Sequence, residues 1–325
     1  MKISTAIAQF KPKKGDVEHN LARIGDIFSQ IVEDATETDL LVLPETCLSG
    51  YFLEGGVRDV ALTSDTLFAR LLALYRERVT AHVASGSSLD ICLGFYELSE
   101  GKYYNSSLYA TLTSSDFGEN QNGSSEPALS AQTVSAQIHH VHRKFFLPTY
   151  GVFDEERFVS RGNRIETFET RFGRFGMLIC EDIWHSVLPT LMALKGAMTL
   201  IVPSASPGRE FAGQNPGNVD RYHDLLKGIA SEHSLWVIYA GLVGFEGGKG
   251  FTGSSQVVDP FGNQKMIASN LHEEMISATI NLEEVTIARA VSPLLSDLES
   301  VIGDIEREFA GLRETVPVQD RKGKR

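Results

Sequence analysis

The run Leu40 to Leu43 ends at Pro44 without a single polar position to turn toward water. Too short for a helix and apolar throughout, it reads as a strand covered on both faces, so the chain must supply a layer above it and a layer below. The same reading applies to GMLI at 176–179 and to LWVIYAGLV at 235–243. Between such strands lie candidate covering helices. After a first strand at about 2–10, the segment GDVEHNLARIGDIFSQIVEDA repeats Val17, Leu21, Ile24, Phe28, Ile31 and Val32 at three and four residues, the period of an amphipathic helix. A second helix is expected over about 62–82, with Leu67, Leu71, Leu74 and Val79 on one face, then strands at about 89–97 and 103–112.

The segment 114–132, SSDFGENQNGSSEPALSAQ, has too few large apolar residues to anchor itself and is expected to be a surface hairpin or excursion loop. Pairing resumes at 133–140, an irregular stretch covers 142–164, and strands follow at 165–169 and in GRFGMLIC. Helices near 187–195 and 220–233 alternate with strands at 198–202 and 235–243, and further strands at 251–258, 264–269 and 275–280 complete the pattern. This alternation predicts one α/β domain of stacked layers over 1–281. A helical C-terminal extension with its tail, 282–325, follows; its Leu294, Leu295, Leu298, Val301, Ile302 and Ile305 form an apolar face that must pack on the body or on another subunit.

Charge and cysteine usage narrow the function. With 42 acidic against 30 basic side chains the chain carries a net charge of −12, which repels nucleic acid, and its one dense basic cluster is the terminal RKGKR. Cys47, Cys92 and Cys180 form no CxxC pair, which argues against a disulfide framework or a zinc ribbon and for a reducing, cytoplasmic setting. The N-terminus reads as a strand rather than a signal peptide, and the apolar run 235–245 is about half of what a bilayer span needs.

Three apolar strands stop at a reactive residue: Glu45 after LLVLP, Lys144 after IHHVHR, and Cys180 after FGMLI. Sites in open α/β sheets form beyond the carboxyl ends of strands, so these side chains can converge from distant parts of the chain. Cys92 lies within a strand and reads as core, and Cys47 either lines a site or fills space. Cys180, followed at once by two acids, is the favoured nucleophile. A thiol needs a base to take its proton and a cation to favour the charge that develops. Glu45 and Lys144 are of the right types for those tasks, and the set suits hydrolysis of an amide or related C–N bond by acyl transfer.

LVLPETCLSGY, HRKFFLPTYGVFDEERF and GMLICEDIW resemble, in order and spacing, the three signature segments of the nitrilase (carbon–nitrogen hydrolase) superfamily. The resemblance implies an α-β-β-α four-layer sandwich, a catalytic set falling on Glu45, Lys144 and Cys180, and a second glutamate at Glu155 that helps hold the lysine and the substrate. It also implies an oxyanion donor in the backbone N–H of Glu181 and pairing of subunits into dimers or their multiples. Within the superfamily, KFFLPTYGVFDEERF and CEDIW look most like the glutaminase domain of glutamine-dependent NAD synthetases, whose glutamine contacts fall on Tyr51, Tyr150 and Ser206. No phosphate loop of the SGGxDS type is present, so ammonia release implies a separate synthetase acting in trans, or else a stand-alone amidase. Arg209 and Arg221 are both candidates to hold a substrate carboxylate.

Two other readings are set aside. His139, His140 and His142, with His185 five residues after Cys180, invite a metal, but polar side chains are ordinary at a strand end and a nitrilase-type mechanism calls for no metal or other cofactor; a protease-like pair of Cys180 with a distant histidine would leave Glu45 and Lys144 without a role. The glycines of LVGFEGGKGFTGSS do not form a phosphate loop and read as a turn near the pocket mouth. The expectation is an amidase releasing ammonia from a small amide, with glutamine among the candidates, through a Cys180 thioester. A nitrilase or N-carbamoyl amide hydrolase using the same residues is the alternative, and a non-catalytic binding or regulatory subunit is the second.

Overall fold

A computed structural model describes residues 1–34, 37–84, 86–114, 134–210 and 216–315. The polar segment expected to form a surface loop, 114–132, lies outside them except for Ser114, as does the basic tail. The strands are β1 (Lys2–Gln9), β2 (Leu40–Val42), β3 (Ser88–Ser99), β4 (Lys102–Thr113), β5 (Gln137–Arg143), β6 (Phe168–Thr170), β7 (Gly173–Met177), β8 (Thr199–Ser204), β9 (Trp236–Gly241), β10 (Val243–Glu246), β11 (Lys249–Thr252), β12 (Gln256–Val258), β13 (Gln264–Ile267) and β14 (Glu274–Asn281). The helices are α1 (Val17–Glu33), α2 (Val57–Val60), α3 (Ser64–Val79), α4 (Val187–Leu194), α5 (Gly217–His233), α6 (Glu283–Val291), α7 (Leu294–Ser300) and α8 (Ile302–Thr315).

Two six-stranded sheets stack face to face, one ordered β14-β1-β2-β3-β4-β5 and the other β13-β12-β9-β8-β7-β6. The alternation of side chains along each strand builds the layers. Ile3, Ile7, Leu40 and Val42 of the first sheet meet Phe175, Met177, Ile201 and Ile238 of the second in the central core. Their alternates Leu41, Leu43, Ile91 and Leu93 turn outward to α1 and α3. On the other side Leu200, Val202, Val237 and Tyr239 turn outward to α4 and α5. The result is the four-layer α-β-β-α sandwich.

Differences from the expected elements have local causes. The second helix starts at Ser64 rather than Leu62 because Thr63 caps it, its Oγ1 accepting from Thr66 N at 3.2 Å, while Leu62 bridges to Glu97 of β3. The apolar run 235–243 leaves the second sheet after Gly241, where the chain passes so close to Gly253 that a Cβ would sit 2.0 Å from its carbonyl oxygen. Its end becomes β10, which pairs with β11 in a separate hairpin, and the strand expected at 251–258 is thereby divided between β11 and β12. Among the described residues the C-terminal extension forms three helices, with Pro293 at the first break. Leu295 is buried against the body, but Leu294, Val301 and Ile302 of the expected apolar face stay exposed.

Candidate active site

Glu45 follows β2, Lys144 follows β5 directly, and Cys180 follows β7 after two further residues. Glu45 and Lys144 are fully buried and Cys180 is 6% exposed. Two turns that present these groups use left-handed backbone at non-glycine residues, Thr46 at φ 49° and Cys180 at φ 46°. Such conformations cost about 1–3 kcal/mol each and persist only where the surroundings impose them. One imposing contact is visible: Gly94 of β3 lies so near the Glu45 backbone that a Cβ there would be 2.5 Å from Glu45 Cα and from Thr46 N.

The lysine ammonium sits between two carboxylates, Nζ donating to Glu45 Oε1 at 2.7 Å and to Glu155 Oε1 at 2.8 Å. Asn105 Nδ2 donates to Glu45 Oε1 at 2.8 Å, and the amide of Ala205 donates to Glu45 Oε2 at 2.6 Å. The Tyr51 hydroxyl donates to Glu155 Oε1, while Glu155 Oε2 is buried without a partner among the described residues. Burial works against the Lys144 charge, but the carboxylates of Glu155 and Glu45 outweigh it and raise its pKa well above the ordinary lysine range. One cation cannot neutralise two buried carboxylates. Burial therefore pushes Glu155 up to about 7, against the pull of Lys144 and with the help of the Glu45 charge. The Cys180 thiol is pushed up to about 12, first by burial and then by the Glu45 charge, with Lys144 acting in the opposite direction.

Asp182 ties the lysine and cysteine segments together. Its Oδ1 accepts from Phe145 N at 3.0 Å and Phe146 N at 2.8 Å, and its Oδ2 accepts from Ile179 N at 3.1 Å and from His142 Nε2 at 2.9 Å. Of the two acids after Cys180, then, Asp182 is a buried clamp, and only Glu181 reaches toward solvent. The histidine cluster is spent on packing: His140 stacks on Phe168 at 4.8 Å and His139 Nε2 lies 2.8 Å from Thr111 Oγ1. His185 stacks on Phe146 at 3.6 Å, and the hydrogen-bond partner of Cys180 Sγ among the described residues is the Tyr222 hydroxyl at 3.4 Å.

The expected substrate contacts differ in position. Tyr51 is buried in the carboxylate cluster, its N–H held by Glu246 of the β10–β11 hairpin. Through Lys249 that hairpin borders a cavity of about 210 Å³ lined also by Tyr51, Phe52, Tyr96, Glu155 and Phe158; Glu45, Lys144 and Cys180 are not among its lining residues. Tyr150 is half exposed, its hydroxyl donating to the Glu181 carboxylate at 3.0 Å. Ser206 is buried, its Oγ accepting from Asn218 Nδ2 at 3.1 Å. Glu181 is the second residue of a single 3-10 turn, Cys180–Trp184, whose leading N–H groups lack acceptors within the turn. The two candidate arginines separate: Arg221 pairs with Glu210 at 2.7 Å, whereas Arg209 lies over the Phe153 ring at 5.3 Å and the Tyr150 ring at 6.0 Å.

Asn105, Asp182, Glu246 and Tyr222 were not singled out for these contacts by sequence reasoning. Asn105 carries a faint signal, an amide inside the otherwise regular strand KYYNSSLYATLT.

The carbon-nitrogen hydrolase family model matches residues 4–290, and the chain belongs to that family. It is a hydrolase acting on C–N bonds. It is 26% identical to a glutamine-dependent NAD(+) synthetase of Aquifex aeolicus over 98% of this chain and 49% of that protein, so it spans about half the length of that relative. An (R)-stereoselective amidase of Pseudomonas is 27% identical over 95% of this chain and 96% of its own length. The fold is shared with a carbon-nitrogen hydrolase from Helicobacter pylori G27, at TM-score 0.75 and 24% identity, over 91% of this chain and 95% of that one.

Proposed function

We propose that the chain hydrolyses the carboxamide of a small amino acid, glutamine foremost, through a thioester on Cys180. The observation that carries the reading is the buried lysine held between Glu45 and Glu155 at 2.7 and 2.8 Å, next to a thiol that burial keeps protonated. With its pKa near 12, such a thiol is ionised to the extent of only about one part in 10⁵ at neutral pH, so its proton must leave to a neighbouring base as attack begins. Glu45 takes that proton, and Sγ attacks the amide carbon. The oxyanion that forms is held by Lys144 Nζ and the Glu181 N–H. Glu45 then returns the proton to the nitrogen, the C–N bond breaks, and ammonia leaves a thioester. Water, deprotonated by Glu45, adds to the thioester; collapse expels Sγ, which recovers its proton and frees the acid.

The substrate class rests on Tyr150. Its hydroxyl binds the Glu181 carboxylate, and the Arg209 guanidinium lies over its ring close enough to lower its pKa, with Nε buried and unpartnered among the described residues. Among the described residues Arg209 has no carboxylate partner, unlike Arg221. An anionic and a cationic group at one tyrosine complement the ammonium and carboxylate of an α-amino acid. Likeness to synthetases named for their dependence on glutamine supports the same choice, and the reading includes a synthetase that accepts the ammonia. Steady-state kinetics test it: Arg209→Met raises KM for glutamine at least tenfold while leaving an aliphatic amide nearly unaffected. Equal effects on both substrates would contradict the carboxylate assignment. Turnover of a nitrile or N-carbamoyl compound with glutamine inert would favour the alternative C–N substrates.

A further inference from the structure

Tyr222 projects from α5 into the layer between that helix and the second sheet, where its ring packs on Trp184 at 4.8 Å and on Tyr239 at 5.2 Å. The position is 3% exposed and belongs to the apolar cluster of Leu226, Ile229, Val202 and Val237. Packing alone asks for a phenylalanine there, because a buried hydroxyl is costly unless it is paired. The well-aligned hydrogen bond of the hydroxyl is to Cys180 Sγ at 3.4 Å. Ser204 Oγ, fully buried at the end of β8, stands close enough to the Cys180 sulfur and to the Tyr222 and Tyr239 hydroxyls to lower the pKa of each, although its alignment with them is poor.

A neutral thiol is a weak acceptor, so this hydroxyl is poorly satisfied while Cys180 is protonated and well satisfied once the sulfur is charged. We propose that Tyr222 is a further catalytic residue, its hydroxyl donating to the Cys180 sulfur whenever that sulfur carries negative charge. The sulfur does so twice in each turnover, when the thiol gives up its proton before attack and when the tetrahedral intermediate of the second step expels it. In the thioester between those points the sulfur is neutral and the bond weakens. The contribution is therefore specific to charged sulfur rather than uniform along the reaction. Glu45 and Lys144 also act on the sulfur, Glu45 opposing its charge and Lys144 favouring it. Tyr222 adds a donor that carries no charge of its own.

The inference rests on Cys180 being the nucleophile, and the test separates the two claims. Iodoacetamide alkylation, followed by peptide mass spectrometry across pH, reads thiolate formation without a substrate. The parent protein labels Cys180 ahead of Cys47 and Cys92, and Tyr222→Phe, which keeps the ring, slows labelling of Cys180 roughly tenfold at neutral pH and moves the profile to higher pH. In turnover the same variant lowers kcat with little change in KM. A fluorinated tyrosine at 222, a stronger donor that preserves the packing, shifts the alkylation profile the other way and serves if the phenylalanine variant fails to fold. Profiles that superimpose on the parent overturn the role of Tyr222 alone. A parent protein that labels Cys180 no faster than Cys92 overturns the nucleophile and this inference together.

Discussion

Among single residues, Glu155 carries the clearest prediction, because burial has moved its titration to about 7. Its ionised form is needed to hold Lys144 at 2.8 Å, and that charge is lost as the pH falls through the folded value. Activity is expected to decline on the acid side with a midpoint near pH 7, and Glu155→Gln, whose side chain does not titrate, is expected to abolish that limb along with most of the activity. A pH profile of kcat/KM checks this, and an unchanged acid limb in the variant would assign it elsewhere. Glu45, Lys144 and Cys180 stood out as candidates in the sequence because each lies within three residues of the carboxyl end of a strand, where side chains are free of the strand's packing pattern. Asn105 and Tyr222 did not, because each occupies a position that strand or helix periodicity assigns to packing. Only their partners, Glu45 for one and Cys180 for the other, reveal that a polar atom is used there.

At the scale of elements, the site depends on how the loops after β5 and β7 are fixed to one another. Asp182 binds backbone N–H groups from both, so removing its carboxylate leaves several buried donors unpaired at about 1–3 kcal/mol each. Asp182→Ala is expected to lower unfolding stability by roughly 3–5 kcal/mol and to slow turnover by freeing Lys144 from its register with Cys180. Denaturant unfolding measures the first effect, and a loss below about 1 kcal/mol would contradict the clamp. The layer order followed from periodicity, since buried strands and amphipathic helices alternate along the chain. The departure of β10 from the second sheet was illegible because the run 235–243 is apolar throughout, whereas the turn comes from the close passage of Gly241 and Gly253. The triple division of the C-terminal extension was half legible: Pro293 marks one break, but the second, at Val301, falls within a continuous helical pattern.

For the whole molecule, the C-terminal helices leave Ile287, Val291, Leu294, Val301, Ile302 and Phe309 exposed, Val291 at 74%. Apolar surface of this extent on successive helices calls for a covering partner, and we propose a second copy of the chain. Sedimentation at micromolar concentration is expected to give at least twice the 35.7 kDa chain mass, and a monomer would leave this face unexplained. Among the described residues no helix is long and apolar enough to cross a membrane. The proposed chemistry at Cys180 is tested by ammonia release from glutamine, asparagine, aliphatic amides, N-carbamoyl compounds and nitriles, with Cys180→Ala as the blank. Turnover of glutamine is expected in the parent protein and is lost in the variant; ammonia release that survives loss of the thiol would rule out Cys180 as the nucleophile.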